Sequence, residues 1–243
     1  MGLELLPKGR PFRLTFPDPR EIQMMLGFEG DSRINASIGN YFSIFAIRPT
    51  ENADWQMHFG LEGAGFFTMR QAQHRFPLET ADGLIGAYLE GANAGWQTQL
   101  RYTHISAHLA DGSASQAIAY SRETISLRES YLFSSETQVY GGVHYLANAV
   151  PKVLGWALQG GATAFLPFGT TKVVPFGGLD MKWKQESQFN PSLNIKLGIA
   201  LNNPPEAYRS FRFFYSYYTG ADPRGQYYDH VSTSHSLGVE MQI

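Results

Sequence analysis

A period of two in hydropathy, sustained over long segments, is the feature that most limits what this chain can fold into. In residues 55–62, the apolar residues Trp, Met, Phe and Leu alternate with Gln, His, Gly and Glu. The same alternation runs through residues 96–103, 193–201 and 231–243. Successive side chains of a β-strand point to opposite faces, so the pattern predicts strands with one apolar and one polar face. Apolar residues do not recur at the spacing of a helix, and we therefore predict an all-β fold.

Clusters of Gly, Asn, Asp, Ser and Pro divide the chain into about twelve such segments. The predicted strands span residues 21–30, 33–48, 54–70, 79–91, 95–109, 116–133, 137–148, 153–166, 172–185, 191–202, 210–219 and 227–243. The predicted turns include residues 30–32, 92–95, 110–113, 168–169, 202–205 and 220–225. Residues 1–20 contain four prolines and are expected to form an extended lead-in. Residues 21–243 are then expected to form a single β-barrel domain.

The direction of the apolar faces separates a membrane barrel from a soluble sandwich or lipocalin-like barrel, whose apolar side chains would lie inside. Many alternating segments reach about ten residues, as a tilted bilayer crossing requires, whereas strands of soluble proteins average about five to six. The last segment keeps its alternation to Ile243, as expected of a strand that pairs with the first and closes a barrel. Aromatic residues, which favour the headgroup zone, lie at the ends of the apolar faces: Trp55, Trp96, Tyr131, Phe133, Tyr145, Trp156, Trp183, Phe213 and Tyr217.

These features predict an antiparallel up-and-down transmembrane β-barrel of about twelve strands in the bacterial outer membrane, surrounded by membrane lipids. The polar faces carry charges of both signs, which are expected to pair across a narrow or filled lumen: His58, Glu62, Arg101, Lys182, Lys184, Glu186, Lys196, Arg212 and Glu240. Residues 1–10 lack the apolar stretch of a secretory signal, so we interpret the chain as the mature form of an exported protein.

The composition argues against several other classes of protein. The net charge of −2 and the absence of a basic stripe argue against a nucleic-acid partner. With no cysteine, the chain has neither disulfides nor thiolate metal ligands. No stretch approaches the roughly 20 apolar residues of a membrane-spanning helix.

Four stretches resemble an uncharacterised family of predicted bacterial outer-membrane proteins, known only as a domain of unknown function. They are Phe16–Arg20, Leu100–Asp111, Gly178–Lys182 and Tyr217–Tyr227. The resemblance covers most of the chain from residue 16 onward. It implies an outer-membrane location and supplies no activity.

One segment has residues suited to nucleophilic catalysis. Tyr102, His104 and Ser106 share one face of a predicted strand, and this face also carries the apolar residues. If the following hairpin is centred near residues 113–114, Glu123 lies opposite His104, and a slip of two residues would place Ser121 there instead. Serine, histidine and carboxylate on adjacent outward positions are arranged as nucleophile, base and orienting acid.

The same run resembles the Tyr-x-His-x-Ser motif of the outer-membrane phospholipase A family and, more loosely, of the lipid A deacylases. The resemblance assigns Ser106 as the nucleophile and His104 as the base on the lipid-facing wall, near the cell exterior. The phospholipase motif continues with Asn-Gly, whereas Ala107 and His108 follow here, so the calcium and oxyanion arrangement of that family has no counterpart. The alternative is that these polar side chains only meet lipid headgroups.

Two functions therefore lead for a barrel of this kind, and a third, a receptor or adhesin, has less support because the predicted outer loops are short. The first is a non-enzymatic envelope protein with a structural role or a role in the passage of small solutes. The second is a hydrolase of outer-leaflet lipid esters that uses Ser106, His104 and Glu123. No cofactor and no metal are predicted, because His104 and His108, about 13 Å apart along a strand, cannot share one ion.

Overall fold

Twelve antiparallel strands form one closed ring, in which each strand pairs with the next and the last pairs with the first. The computed structural model describes residues 2–30, 32–48, 55–110, 116–168, 172–201 and 210–242. The ring consists of β2 (Met24–Glu29), β3 (Arg33–Arg48), β4 (Trp55–Arg70), β5 (Leu78–Asn93), β6 (Trp96–Leu109), β7 (Tyr120–Leu132), β8 (Thr137–Val150), β9 (Trp156–Phe165), β10 (Val173–Lys184), β11 (Pro191–Leu201), β12 (Ser210–Ala221) and β13 (Val231–Gln242). The predicted antiparallel barrel of about twelve strands is confirmed.

Helical structure in these ranges is limited to two single 3-10 turns, Gln185–Ser187 and Gly225–Tyr227. No helix in the described ranges has the length and apolar character needed to cross a membrane. Some predicted turn and strand-end residues lie outside the described residues, namely positions 31, 54, 111–114, 169, 202–205 and 243.

A further strand, β1 (Gly2–Leu5), lies in the region expected to be an extended lead-in. The short β2 pairs with residues 33–37 of β3, and β1 pairs with residues 45–48 of the same strand. The unpaired backbone groups of a sheet edge need partners. β1 therefore supplies partners to a part of β3 that β2 does not reach.

The apolar face of the strands points outward, and the polar face points into the ring. Leu100 and Leu127 are exposed, whereas their neighbours Gln99 and Arg128 are buried. Several of the predicted aromatic residues pack side by side on the outside, with ring centroids 5.0 Å apart for Trp96 and Tyr131 and 4.9 Å apart for Tyr145 and Trp156. The soluble alternative, with apolar side chains inside, is therefore wrong. The outer surface has the pattern of a barrel in lipid.

The two ends of the ring can be named by the strands that begin and end there. We call the end where β2 begins and β13 ends the proximal end. At the opposite end, the distal end, β2, β4, β6, β8, β10 and β12 finish, and β3, β5, β7, β9, β11 and β13 begin. β6 runs toward the distal end, so His104 and Ser106 lie on its distal half.

Residues 7–23, which we call the inner segment, run inside the ring. Phe16 packs with Phe165, Phe176 and Phe214, which project from the wall into the lumen. Ile22 forms a second apolar cluster with Phe66 and Leu84 of the wall. The buried core of the molecule therefore lies between the inner segment and the strands that surround it.

Two glycines of the wall allow the inner segment to approach closely. A Cβ at Gly39 would lie 2.8 Å from Cγ2 of Ile22, and a Cβ at Gly178 would lie 2.5 Å from Cγ of Pro17. Contacts this short do not occur between real carbon atoms, so any larger residue would push the segment away.

Candidate functional sites

The residues predicted to be catalytic lie together on the outer wall, where β6 and β7 pair. His104 is directly opposite Glu123, and Ser106 is directly opposite Ser121. Of the two registers that the sequence left open, the first is the one observed. The hairpin connection itself includes residues outside the described ranges. We call the group of Tyr102, His104, Ser106 and Glu123 the outer-wall cluster.

The contacts in the outer-wall cluster centre on the Glu123 carboxylate. Nδ1 of His104 lies 3.7 Å from Oε1 of Glu123, within reach of an ion pair but longer than a hydrogen bond. Tyr102 lies on the same strand and faces outward, two residues before His104. Within the described ranges, no hydrogen bond joins Ser106 to His104. The structure thus brings a histidine and a carboxylate together beside a serine, without a hydrogen bond between the serine and the histidine.

His108 does not add a metal site to this cluster. It lies on β6, opposite Ala81, and its side chain is exposed. In the described part of the chain, no group of three or more His, Asp or Glu side chains is arranged to hold a metal ion.

Charged side chains that were predicted to lie on the inward faces of the strands form ion pairs within the lumen. Nε of Arg101 donates to Oε1 of Glu62 at 2.6 Å. Oε1 of Glu240 accepts from Nε of Arg212 at 2.6 Å, and its Oε2 accepts from Nζ of Lys196 at 2.7 Å. Opposite charges that are removed from water stabilise a fold only when they are paired in this way.

A larger set of contacts, which the sequence did not reveal, joins the inner segment to the wall. Oε2 of Glu21 lies 3.2 Å from Nη1 of Arg128 on β7, and both side chains are almost completely buried. Arg10 pairs with Glu90 of β5. Burial alone would raise the pKa of Glu21, but Arg128, Arg101 and Arg10 outweigh this effect and hold its pKa below the usual range.

The other side of the inner segment is bound to strands further along the chain. Oδ2 of Asp18 lies 2.6 Å from Nζ of Lys182 on β10. The Asn194 side-chain amide donates to the Pro17 carbonyl at 2.5 Å, and Nζ of Lys196 donates to the Phe16 carbonyl at 2.8 Å. The inner segment is therefore held to opposite sides of the ring, by strands β5 and β7 and by strands β10 and β11.

A loop at the distal end also contacts the strands across the ring. Residues 222–230, which we call the distal loop, connect β12 to β13 and reach across the ring. The Gly225 amide donates to Oδ2 of Asp82 at 3.1 Å, and the Gln226 side chain donates to the Ala107 carbonyl at 2.5 Å. The Tyr227 hydroxyl donates to Oε1 of Glu79 at 3.2 Å. The sequence predicted a turn at residues 220–225 and a strand from residue 227, and it gave no sign of these contacts with β5 and β6.

Fold and sites together define a class of protein: closed antiparallel barrels with an apolar outer surface and a polar interior. The chain belongs to the family described as "Protein of unknown function (DUF1207)", whose model matches residues 2–242. The resemblance to an uncharacterised family is thus confirmed. Among curated proteins, no match was found.

Solved structures with the same fold include two proteins of outer membranes. The outer membrane phospholipase A from Escherichia coli matches with a TM-score of 0.60 and 12% identity, over 97% of this chain and 92% of that one. A KdgM porin matches with a TM-score of 0.51 and 12% identity, over 91% of this chain and 98% of that one. At this identity, the likeness establishes the fold.

Proposed function

We propose that the protein is an integral outer-membrane barrel whose lumen is closed by its own inner segment. Its role is then structural, or it passes only small solutes. The apolar outer surface and the fold shared with outer-membrane proteins support the location. The closure is supported by the inner segment, which is bound to strands on both sides of the ring.

The contacts of the inner segment are the observation that carries this proposal. Glu21 with Arg128 and Asp18 with Lys182 fasten it to different walls. Breaking a buried ion pair while leaving one charge behind is strongly unfavourable. We infer that the segment stays in place and that a wide aqueous pore does not form.

Gel migration and bilayer conductance test this proposal. We expect migration in detergent gels to change on heating, as for a stable barrel, and we expect no sustained conductance in planar bilayers. A variant that lacks residues 2–23, and with them the whole inner segment, should conduct if its migration stays heat-modifiable. A steady open pore in the wild-type protein contradicts the closed lumen, and a protein that is soluble and monomeric without detergent contradicts the membrane barrel.

A second candidate function, a lipid ester hydrolase, is favoured by the outer-wall cluster. His104 and Glu123 lie side by side on the outward face, in the register that a base and its orienting acid require. Ser106 follows on the same face, where an ester group of a lipid would approach. We assign Ser106 as the nucleophile, His104 as the base and Glu123 as the orienting acid of this candidate function.

The hydrolase is tested by measuring cleavage of phospholipid esters in mixed micelles. Ser106→Ala should abolish cleavage, whereas Ser121→Ala should leave it unchanged. Ser121 is the matched control because it lies directly opposite Ser106 on the neighbouring strand. Equal activity of wild type and Ser106→Ala, or no activity in either, removes the hydrolase and leaves the proposal of a closed barrel intact.

A further inference from the structure

A cavity of about 330 Å³ lies inside the ring, between the inner segment and the wall, next to the distal loop. Arg20 and Gln23 of the inner segment line it on one side. Side chains of β2, β3, β4, β5, β11, β12 and β13 line the other sides. Its volume falls at the lower end of the range of small-molecule sites, about 300–1,000 Å³. The lining reaches the distal end at Gly30 and Arg33.

Two buried oxygen atoms of this lining accept no hydrogen bond within the described part of the chain. They are Oε1 of Gln23 and Oδ1 of Asp82, on residues only 5% and 2% exposed. The other oxygen of Asp82, Oδ2, already has two partners. It lies 2.9 Å from Nη2 of Arg20 and accepts a hydrogen bond from the Gly225 amide at 3.1 Å. Buried acceptors are normally paired, so these two call for a hydrogen-bond donor inside the cavity.

The charges around the cavity are already matched within the protein. Arg20 pairs with Asp82, and Lys196 pairs with Glu240 at 2.7 Å. Arg224 pairs with Asp222 at 2.5 Å. A charged ligand would have to compete with these pairs, whereas a neutral ligand would leave them intact. The electrostatics therefore favour a neutral molecule.

The remaining lining residues suit a ligand that carries many hydroxyl groups. Hydroxyl groups both donate and accept, and seven serine and threonine residues line the cavity: Thr68, Thr80, Ser216, Ser232, Thr233, Ser234 and Ser236. Phe214 and Tyr218 add aromatic surface next to them. We propose that the cavity binds a small neutral polyhydroxylated molecule, of the size of a monosaccharide or cyclic polyol, whose hydroxyl groups donate to Gln23 and Asp82.

Binding is tested on the full chain in detergent micelles, so the result does not depend on the membrane role. D-glucose, D-galactose and myo-inositol serve as probes at millimolar concentrations, with saturation-transfer NMR and calorimetry as readouts. We expect at least one of them to bind. Gln23→Met removes the acceptor and keeps the side-chain length, and should weaken binding about two- to tenfold, the effect of one neutral hydrogen bond.

Gln71→Met is the matched control, because Gln71 is exposed at the distal end and does not line the cavity. It should bind as the wild type does. Ser234→Ala provides a second test at the opposite wall, should Gln23→Met lose its heat-modifiable migration. Equal affinity in wild type and both cavity variants would overturn the proposal. So would tighter binding of ethanolamine than of any polyol, which indicates a cationic ligand, or no binding at all, which indicates a cavity that holds only water.

Discussion

The lumen and the outer-wall cluster both pair a basic side chain with a carboxylate, but they do so in opposite environments. Glu21 and Arg128 lie 3.2 Å apart with side-chain exposures of 0% and 2%. His104 and Glu123 lie 3.7 Å apart, with exposures of 38% and 31%. A buried pair is fixed by the packing around it, whereas an exposed pair can change partners at small cost. Rigidity is thus concentrated inside the barrel, and adaptable polar groups lie on its outer surface.

The largest expected effect comes from removing one partner of the buried pair. Glu21→Ala leaves Arg128 buried without its carboxylate, which should reduce the free energy of unfolding by about 3–5 kcal/mol. Urea unfolding in micelles, followed by tryptophan fluorescence, measures this change. The control is Glu4→Ala, which breaks an exposed pair with Arg48 at 3.3 Å and should cost about 0–1 kcal/mol. Similar losses in the two variants would contradict the contrast between interior and surface.

The second effect tests whether the inner segment presses on the wall. Gly178→Ala places a Cβ against Pro17 and should destabilise the protein by about 1–3 kcal/mol through overpacking. Gly160→Ala on the neighbouring β9 is the matched control, because a Cβ there would meet nothing within 4 Å. A neutral Gly178→Ala would mean that the segment is free to move away from the wall.

A third, smaller effect is the dependence of stability on pH. Folding lowers the pKa of Glu21, so its ionised form stabilises the protein fully above the ordinary glutamate pKa of about 4.3. This contribution is lost as the pH falls below that value toward the lower pKa of the folded state. The stability difference between wild type and Glu21→Gln should therefore shrink as the pH falls from neutral to about 3. A difference that stays constant would show that the Glu21 charge does not hold the segment.

The strands of the ring, with their apolar and polar faces, were predictable from the sequence. They depend on the alternation of apolar and polar residues within each strand. For the hairpin of β6 and β7, the sequence limited the register to two possibilities, and the structure has the one with His104 opposite Glu123. Each of these features involves residues that are close in the chain or that lie on two strands that pair with each other.

The inner segment was not predictable in this way, because its partners are far away in the sequence. Arg10 binds Glu90, 80 residues later, and Pro17 binds Asn194, 177 residues later. The four prolines of residues 1–20 predicted an extended lead-in. They carried no signal of which walls the segment would contact, or that a cavity would remain beside it.

The smallest predicted effect concerns the outer-wall pair itself. A double-mutant cycle with His104→Ala and Glu123→Ala should give a coupling of about 0.2–1 kcal/mol, as for other exposed pairs. The same cycle on Glu21 and Arg128 should give a much larger value, because each single variant leaves a buried charge. Urea unfolding of the seven proteins, with the wild type shared by the two cycles, measures both couplings in one detergent. An outer-wall coupling as large as the inner one would mean that His104 and Glu123 are held as firmly as the lumen, which would favour a positioned base over a headgroup contact.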